Sequence, residues 1–118
     1  EEASVHPLFK QEVLKAKEGD TVLTLKELSP VRLLKNPFYE QVEALYQQRE
    51  ATPENLKQLL GKGRAKLGMY EGDLKEGELE IGQVSSLIEE VKTVKEVFEE
   101  VLAEFQQTRD LMINITSH

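Results

Sequence analysis

GMYEGDLKEGELEIGQ, residues 68–83, interrupts a chain otherwise made of helix formers. It carries four glycines (Gly68, Gly72, Gly77, Gly82) and five acids (Glu71, Asp73, Glu76, Glu78, Glu80), and Val84, Ser85 and Ser86 follow Gln83. If this stretch is a ligand loop, the protein has a chemistry; if it is a connection, the flanking elements decide what the chain is. A calcium loop of the EF-hand type needs oxygen ligands at its first, third, fifth and twelfth positions around a glycine at the sixth. With Gly77 as that glycine, Gly72, Leu74, Glu76 and Gln83 fill those positions, and only Glu76 is a carboxylate. The acids therefore read as a solvent-facing connection.

The neighbouring GKGRAKLG, residues 61–68, begins like a phosphate loop. Gly63 and Gly68 have the right separation, but Met69 stands where the loop needs lysine, and Lys66 occupies the third glycine of the dinucleotide pattern. His6 and His118 are the two histidines, and there is no cysteine. Zinc ligation of the Cys/His kind is excluded, no metal ligand set is read, and no nucleophile–base constellation emerges from scattered serines.

The bulk numbers agree with a helical polar chain. Of 118 residues, 31% are charged and 6% aromatic, which suits one domain at most. The net charge of −7, from 15 basic against 22 acidic residues, argues against nucleic acid as a partner. Lys57, Lys62, Arg64 and Lys66 form a basic patch without an aromatic platform. No run approaches the ~20 apolar residues of a membrane helix. EEASVHP at the start is acidic, with no apolar signal region and no methionine, so the chain reads as beginning inside a longer cytoplasmic protein.

Working outward from the quoted stretch, the periodicity predicts five to six helices and one short strand. Pro7 opens a helix with Leu8, Phe9, Val13 and Leu14, and Gly19-Asp20 ends it. TVLTL, residues 21–25, is the strand, and SPVRLLKN after it is ambiguous between helix and extended chain. Asn36-Pro37 and Thr52-Pro53 are cap-plus-proline starts. A further helix runs toward Tyr70, and Ile81, Val84, Leu87, Ile88 and Val91 have helical spacing. Thr93 with Glu96 is a capping box opening the cleanest amphipathic helix, Val94 to Phe105, and residues 111–118 read as a frayed tail. A lone strand cannot satisfy its own ladder, so the rest of its sheet is expected outside this segment.

Gly72-Asp73, Gly77 and Gly82-Gln83 at their spacings, followed by Val84-Ser85-Ser86-Leu87-Ile88, resemble the C-terminal signature of the nitronate monooxygenase (2-nitropropane dioxygenase) family. That family includes the FMN-dependent enoyl-acyl carrier protein reductase II. The similarity extends through GKGRAKLGMYEGD and SPVRLLKN to the start of the chain, and so from Glu1 to about Glu104. The resemblance implies the last third of a (β/α)8 TIM-barrel flavoprotein, present here as a single segment, 1–118. Its phosphate loop and catalytic histidine would lie upstream of Glu1, so no catalytic residue is expected here and His6 does not take that role.

The cofactor-facing residues would be Gly82, Gln83 and Ser85, through close backbone approach at a helix start and a side chain that both donates and accepts. The alternative is that Gly82 and Gln83 only cap and pack the helix. Glu1, Glu2, Ser4 and His6 would sit near the active-site rim, and Arg32 and Asn36 would anchor the segment onto the barrel. The implied chemistry is oxidation of an alkyl nitronate with oxygen, or reduction of an enoyl thioester by a nicotinamide through FMN. The segment alone would be inactive and flavin-free. Its partners would be the remainder of the barrel or a second subunit, with a small-molecule substrate and a possible homo-oligomer. The competing reading is a free-standing helical interaction module.

Overall fold

The computed structural model describes residues 1–116, in two compact units: residues 4–90, and residues 1–3 with 91 onward. Within the first unit the order is α1 (Pro7–Lys15), β1 (Thr21–Thr24), β2 (Val31–Leu34), α2 (Pro37–Gln47) and α3 (Pro53–Leu60). A single π-helical turn (Lys66–Tyr70) and a single 3-10 turn (Gln83–Leu87) follow. The second unit is built on α4 (Val94–Thr116). The chain is mainly helical, as its periodicity predicts.

The proline-led starts form as read. Asn36 Oδ1 accepts from the Tyr39 amide at 2.9 Å, and Thr52 Oγ1 accepts from the Asn55 amide at 3.2 Å. His6 caps α1 in the same way, its Nδ1 accepting from the Leu8 amide at 3.1 Å. Each satisfies an amide that the first helical turn leaves without a partner.

Three expectations change. The strand is not alone: the ambiguous segment supplies β2, antiparallel to β1 in the register Thr21↔Leu34, Val22↔Leu33, Leu23↔Arg32 and Thr24↔Val31. Pro30 disfavours a helical residue before it, and Arg32 Nη1 donates to Thr21 Oγ1 at 3.1 Å, tying the strands together. The apolar spacing after Ile81 yields only the five-residue 3-10 turn, whose Gly82 start has no side-chain cap. The segment expected to fray from Leu111 is helical through Thr116; it holds no glycine or proline to stop α4. Residues 117 and 118 of that tail, His118 among them, lie outside the described residues.

β2 separates two cores. Leu33 faces Leu25, Phe38, Val42 and Leu56, while Leu34 faces Phe9, Ala16 and Leu79. Both leucines are buried, because alternate strand residues point to opposite faces and here each face has its own cluster. β1 covers one edge of β2. The other edge takes residues 79–81: the Leu34 amide donates to the Leu79 carbonyl at 2.9 Å and the Ile81 amide to the Arg32 carbonyl at 3.0 Å.

The quoted stretch is thus a pinned structure and not a free loop. Asn36 Nδ2 donates to the carbonyls of Leu74 and Gly77, both at 2.8 Å. Arg64 donates to the carbonyls of Leu59, Leu60 and Glu76 while its guanidinium lies 4.7 Å from the Phe38 ring centre. Asp73 Oδ1 accepts from the Lys75 and Glu76 amides, which makes it a turn-former. Gly77 crosses Gly68 so closely that a Cβ on Gly77 would lie 2.1 Å from the Gly68 Cα.

The expectation that the acids all face solvent fails at Glu78, which is 6% exposed. In the alternating run Glu78-Leu79-Glu80-Ile81 the two apolar residues join the second core, so Glu78 and Glu80 share the opposite face. Burial, reinforced by the neighbouring Glu80 carboxylate, pushes the Glu78 carboxyl up to about 7.

Two outcomes follow from this packing. Gly77→Ala, which drives a methyl into backbone, should lower stability by about 3 kcal/mol or more in urea titrations, whereas Gly82→Ala, with nothing within 4 Å of its Cβ position, should leave the midpoint unchanged. The unfolded chain releases the Glu78 proton near 4.5 and the folded chain near 7, so stability should fall as pH rises between those values. The full shift corresponds to about 3 kcal/mol, and solvent screening through the exposed Glu80 cuts the loss to roughly 2 kcal/mol, complete above about pH 8. Glu78→Gln should flatten that slope in urea midpoints taken at pH 5, 6.5 and 8; an unchanged slope would place the titration elsewhere.

Candidate functional site

The three residues expected to face a cofactor do not behave alike. Gly82 is extended (φ −79°, ψ 156°) and exposed, and Gln83 beside it is exposed as well. Ser85 is 2% exposed, and its hydroxyl has no hydrogen-bond partner. The turn is closed by the Ser85 amide donating to the Gly82 carbonyl at 3.1 Å and the Ile88 amide to the Ser85 carbonyl at 3.0 Å, and it packs against α1. The structure therefore brings Gly82 and Gln83 to one open surface and turns Ser85 inward, away from it.

A five-residue 3-10 turn aligns too few peptide dipoles to bind an anion by itself, so the helix-start rationale is reduced to local geometry. What remains is bare backbone at Gly82, where a Cβ would meet nothing, and the amide of Gln83. That surface suits the edge of a flat heteroaromatic ring with its own donors and acceptors. It does not suit a phosphate: residues 76–91 contain no lysine or arginine. Gly82 and Gln83 thus offer an open backbone edge and a side-chain amide, and no cationic group for a phosphate.

The other expected residues act as structure. Arg32 and Asn36 hold β1 and residues 74–77, as described above. His6 caps α1, its amide donates to the Met69 carbonyl at 2.6 Å, and its ring occupies the space a Gly72 Cβ would need. Glu2 Oε2 accepts from the Val94 amide at 2.7 Å, adding a second acceptor to the Thr93–Glu96 capping box of α4. Among the described residues no group of three or more His, Asp or Glu could hold a metal ion, and no helix is long and apolar enough to cross a membrane.

Sequence reading missed two features. One is the Glu78–Glu80 pair, on the face of the extended segment to which alternation also assigns Gly82; the period-two pattern of ELEIG could have found it. The other is a cleft of about 260 Å³ between β1 and α2, lined by Thr24, Lys26, Glu27, Glu43 and Tyr46. There the Tyr46 hydroxyl donates to Glu27, which lowers the Glu27 pKa, while burial foremost raises that of Tyr46. No periodicity announces that pair, because its members are 19 positions apart.

No family model matches the chain, and no curated protein matches it. Among solved structures, FabK from Thermotoga maritima matches with 33% identity and a TM-score of 0.80, over 93% of this chain and 34% of FabK. A point variant of the same FabK matches with 31% identity and a TM-score of 0.74, over 95% of this chain and 32% of the variant. The chain spans about a third of the length of these proteins. It is similar in sequence and fold to one part of a TIM-barrel enzyme, a likeness that supports the FabK and nitronate monooxygenase family without singling out a member.

Proposed function

We propose that this chain is part of an FMN-dependent oxidoreductase of the enoyl-acyl carrier protein reductase II type, and that it is inactive without the rest of the barrel. The observation that carries the reading is the FabK match, 33% identity at a TM-score of 0.80 across 93% of the chain. The Gly72–Ile88 pattern that resembles the family lies in a segment pinned from three sides. FabK as the matched protein favours an enoyl thioester over an alkyl nitronate as substrate, and a nicotinamide over oxygen as redox partner. A cytoplasmic location belongs to the same proposal.

Bound FMN would supply the hydride chemistry, and this segment's part is positional. Gly82 leaves its backbone bare for close approach, and the Gln83 amide orients whatever polar edge comes to it. Ser85 supports the turn from within, its hydroxyl buried on the side away from that surface. The free-standing interaction module, the second reading, is favoured by the apolar side chains that α4 leaves exposed. It differs in having no flavin affinity in any longer form of the protein.

A complete barrel carrying this segment should purify yellow, release FMN on denaturation and reduce an enoyl thioester with NADH or NADPH. Oxygen uptake driven by an alkyl nitronate would shift the assignment to the nitronate branch, and a colourless folded protein that no added FMN colours would sink it. Gly82→Ala should weaken FMN or thioester binding on the order of tenfold with the melting temperature unchanged. Gln83→Ala should do the same through lost orientation.

A further inference from the structure

The 3-10 turn Gln83–Leu87 repeats every three residues, so side chains at i and i+3 lie one above the other and the turn has three edges. Ser85 takes the inward edge, buried where the turn packs on α1. Gln83 and Ser86 share a polar edge, and Val84 and Leu87 share an apolar one. Val84 is 69% exposed and Leu87 78%. Among the described residues of 4–90, no other large apolar side chain is as exposed as either.

A single exposed apolar side chain is ordinary on a protein surface. Two stacked on one edge, two residues on from the bare backbone of Gly82, make a strip. Three residues of 3-10 rise give it a length of about 6 Å. A stable protein partner is held by about 20–30 residues a side, so the strip is far too small for one. It has the dimensions of a contact for a hydrocarbon chain.

The neighbouring edge narrows the ligand further. It lies about 120° around the turn and offers the Gln83 amide as donor and acceptor. Residues 81–88, IGQVSSLI, carry no charge, so nothing there balances an anionic head. A ligand that meets both edges has an uncharged polar group followed by an apolar tail. The carbonyl and acyl chain of a thioester have that form; an alkyl nitronate, with its anionic head, does not.

We propose that Val84 and Leu87 form the contact for the acyl chain of an enoyl thioester, and that Leu87 sets the chain-length preference of the complete enzyme. This rests on the reductase reading given above. Val84 is the nearer of the two to Gly82 and Gln83, so it meets the first carbons of any chain. Leu87, one turn further on, meets only chains long enough to reach it. Both are binding residues, and no bond forms or breaks at either.

The test uses a complete FMN-loaded barrel carrying this segment, with crotonyl and dodecenoyl pantetheine thioesters and NADH or NADPH. Leu87→Ala should lower the ratio of kcat/KM for the dodecenoyl over the crotonyl thioester about tenfold, mainly through KM. Val84→Ala should lower kcat/KM for both substrates, and Leu87→Met, which keeps the apolar bulk, should retain the ratio. Leu8→Ala, at an exposed leucine of α1, should leave the ratio unchanged. The flavin spectrum and melting temperature are recorded for every variant. An unchanged ratio in Leu87→Ala overturns the inference and leaves the reductase reading standing. If its melting temperature also falls by several degrees, the rest of the barrel and not substrate covers the strip. A colourless protein, or a yellow one that reduces neither thioester, overturns the inference together with the reading on which it rests.

Discussion

Two adjacent leucines on one short strand organise the larger unit. Leu33 and Leu34 point to opposite faces because a strand has a period of two, and each is the centre of a separate apolar cluster. A strand can be buried on both faces only if its two edges are also satisfied, since an unpaired amide inside a protein costs as much as a lost hydrogen bond. β1 satisfies one edge and residues 79–81 the other. The α2–α3 pair on one side and α1 on the other are placed by which leucine they cover.

That second edge explains why the acidic, glycine-rich stretch is held so tightly. To bring residues 79–81 beside β2, the chain must cross the π-helical turn at Gly68 and Gly77 with no room for a side chain. Asn36 and Arg64 then take up carbonyls that the crossing would otherwise leave without donors. The acids have separate fates within this one segment. Asp73 shapes the turn, Glu76 pairs with Arg64 at 3.2 Å, Glu71 lies 3.9 Å from Lys66, and Glu78 is drawn under the surface beside Glu80. The glycines divide likewise: Gly68 and Gly77 are needed by the packing, and Gly82 is not. Gly82 stands at an exposed turn beside the Gln83 side chain, with nothing near enough to require a glycine there.

Much of the helical content was legible because its signals are local. A cap residue followed by proline acts within one turn, and so does the Thr93–Glu96 box; each formed where the residues stand. The family resemblance was legible for a similar reason, as spaced glycines and Gln83 are read along the chain. β2 was not legible, since Leu33-Leu34 has the apolar doublet of a buried element of either kind and only its two neighbours decide for strand. The helical spacing after Ile81 misled, because apolar periodicity without a cap or good helix formers around Ser85-Ser86 sustains no more than one turn.

The sequence by itself determined where α1 to α4 begin, the net charge and the resemblance carried by the Gly72–Ile88 segment, for these are read along the chain without reference to what packs against it. Tertiary structure alone decided the partition of the core by β2, the burial of Glu78, and the separation of Ser85 from Gly82 and Gln83. Each of those depends on what a side chain meets from elsewhere in the chain. Distance in sequence carries no record of that meeting, and only the packed backbone supplies it.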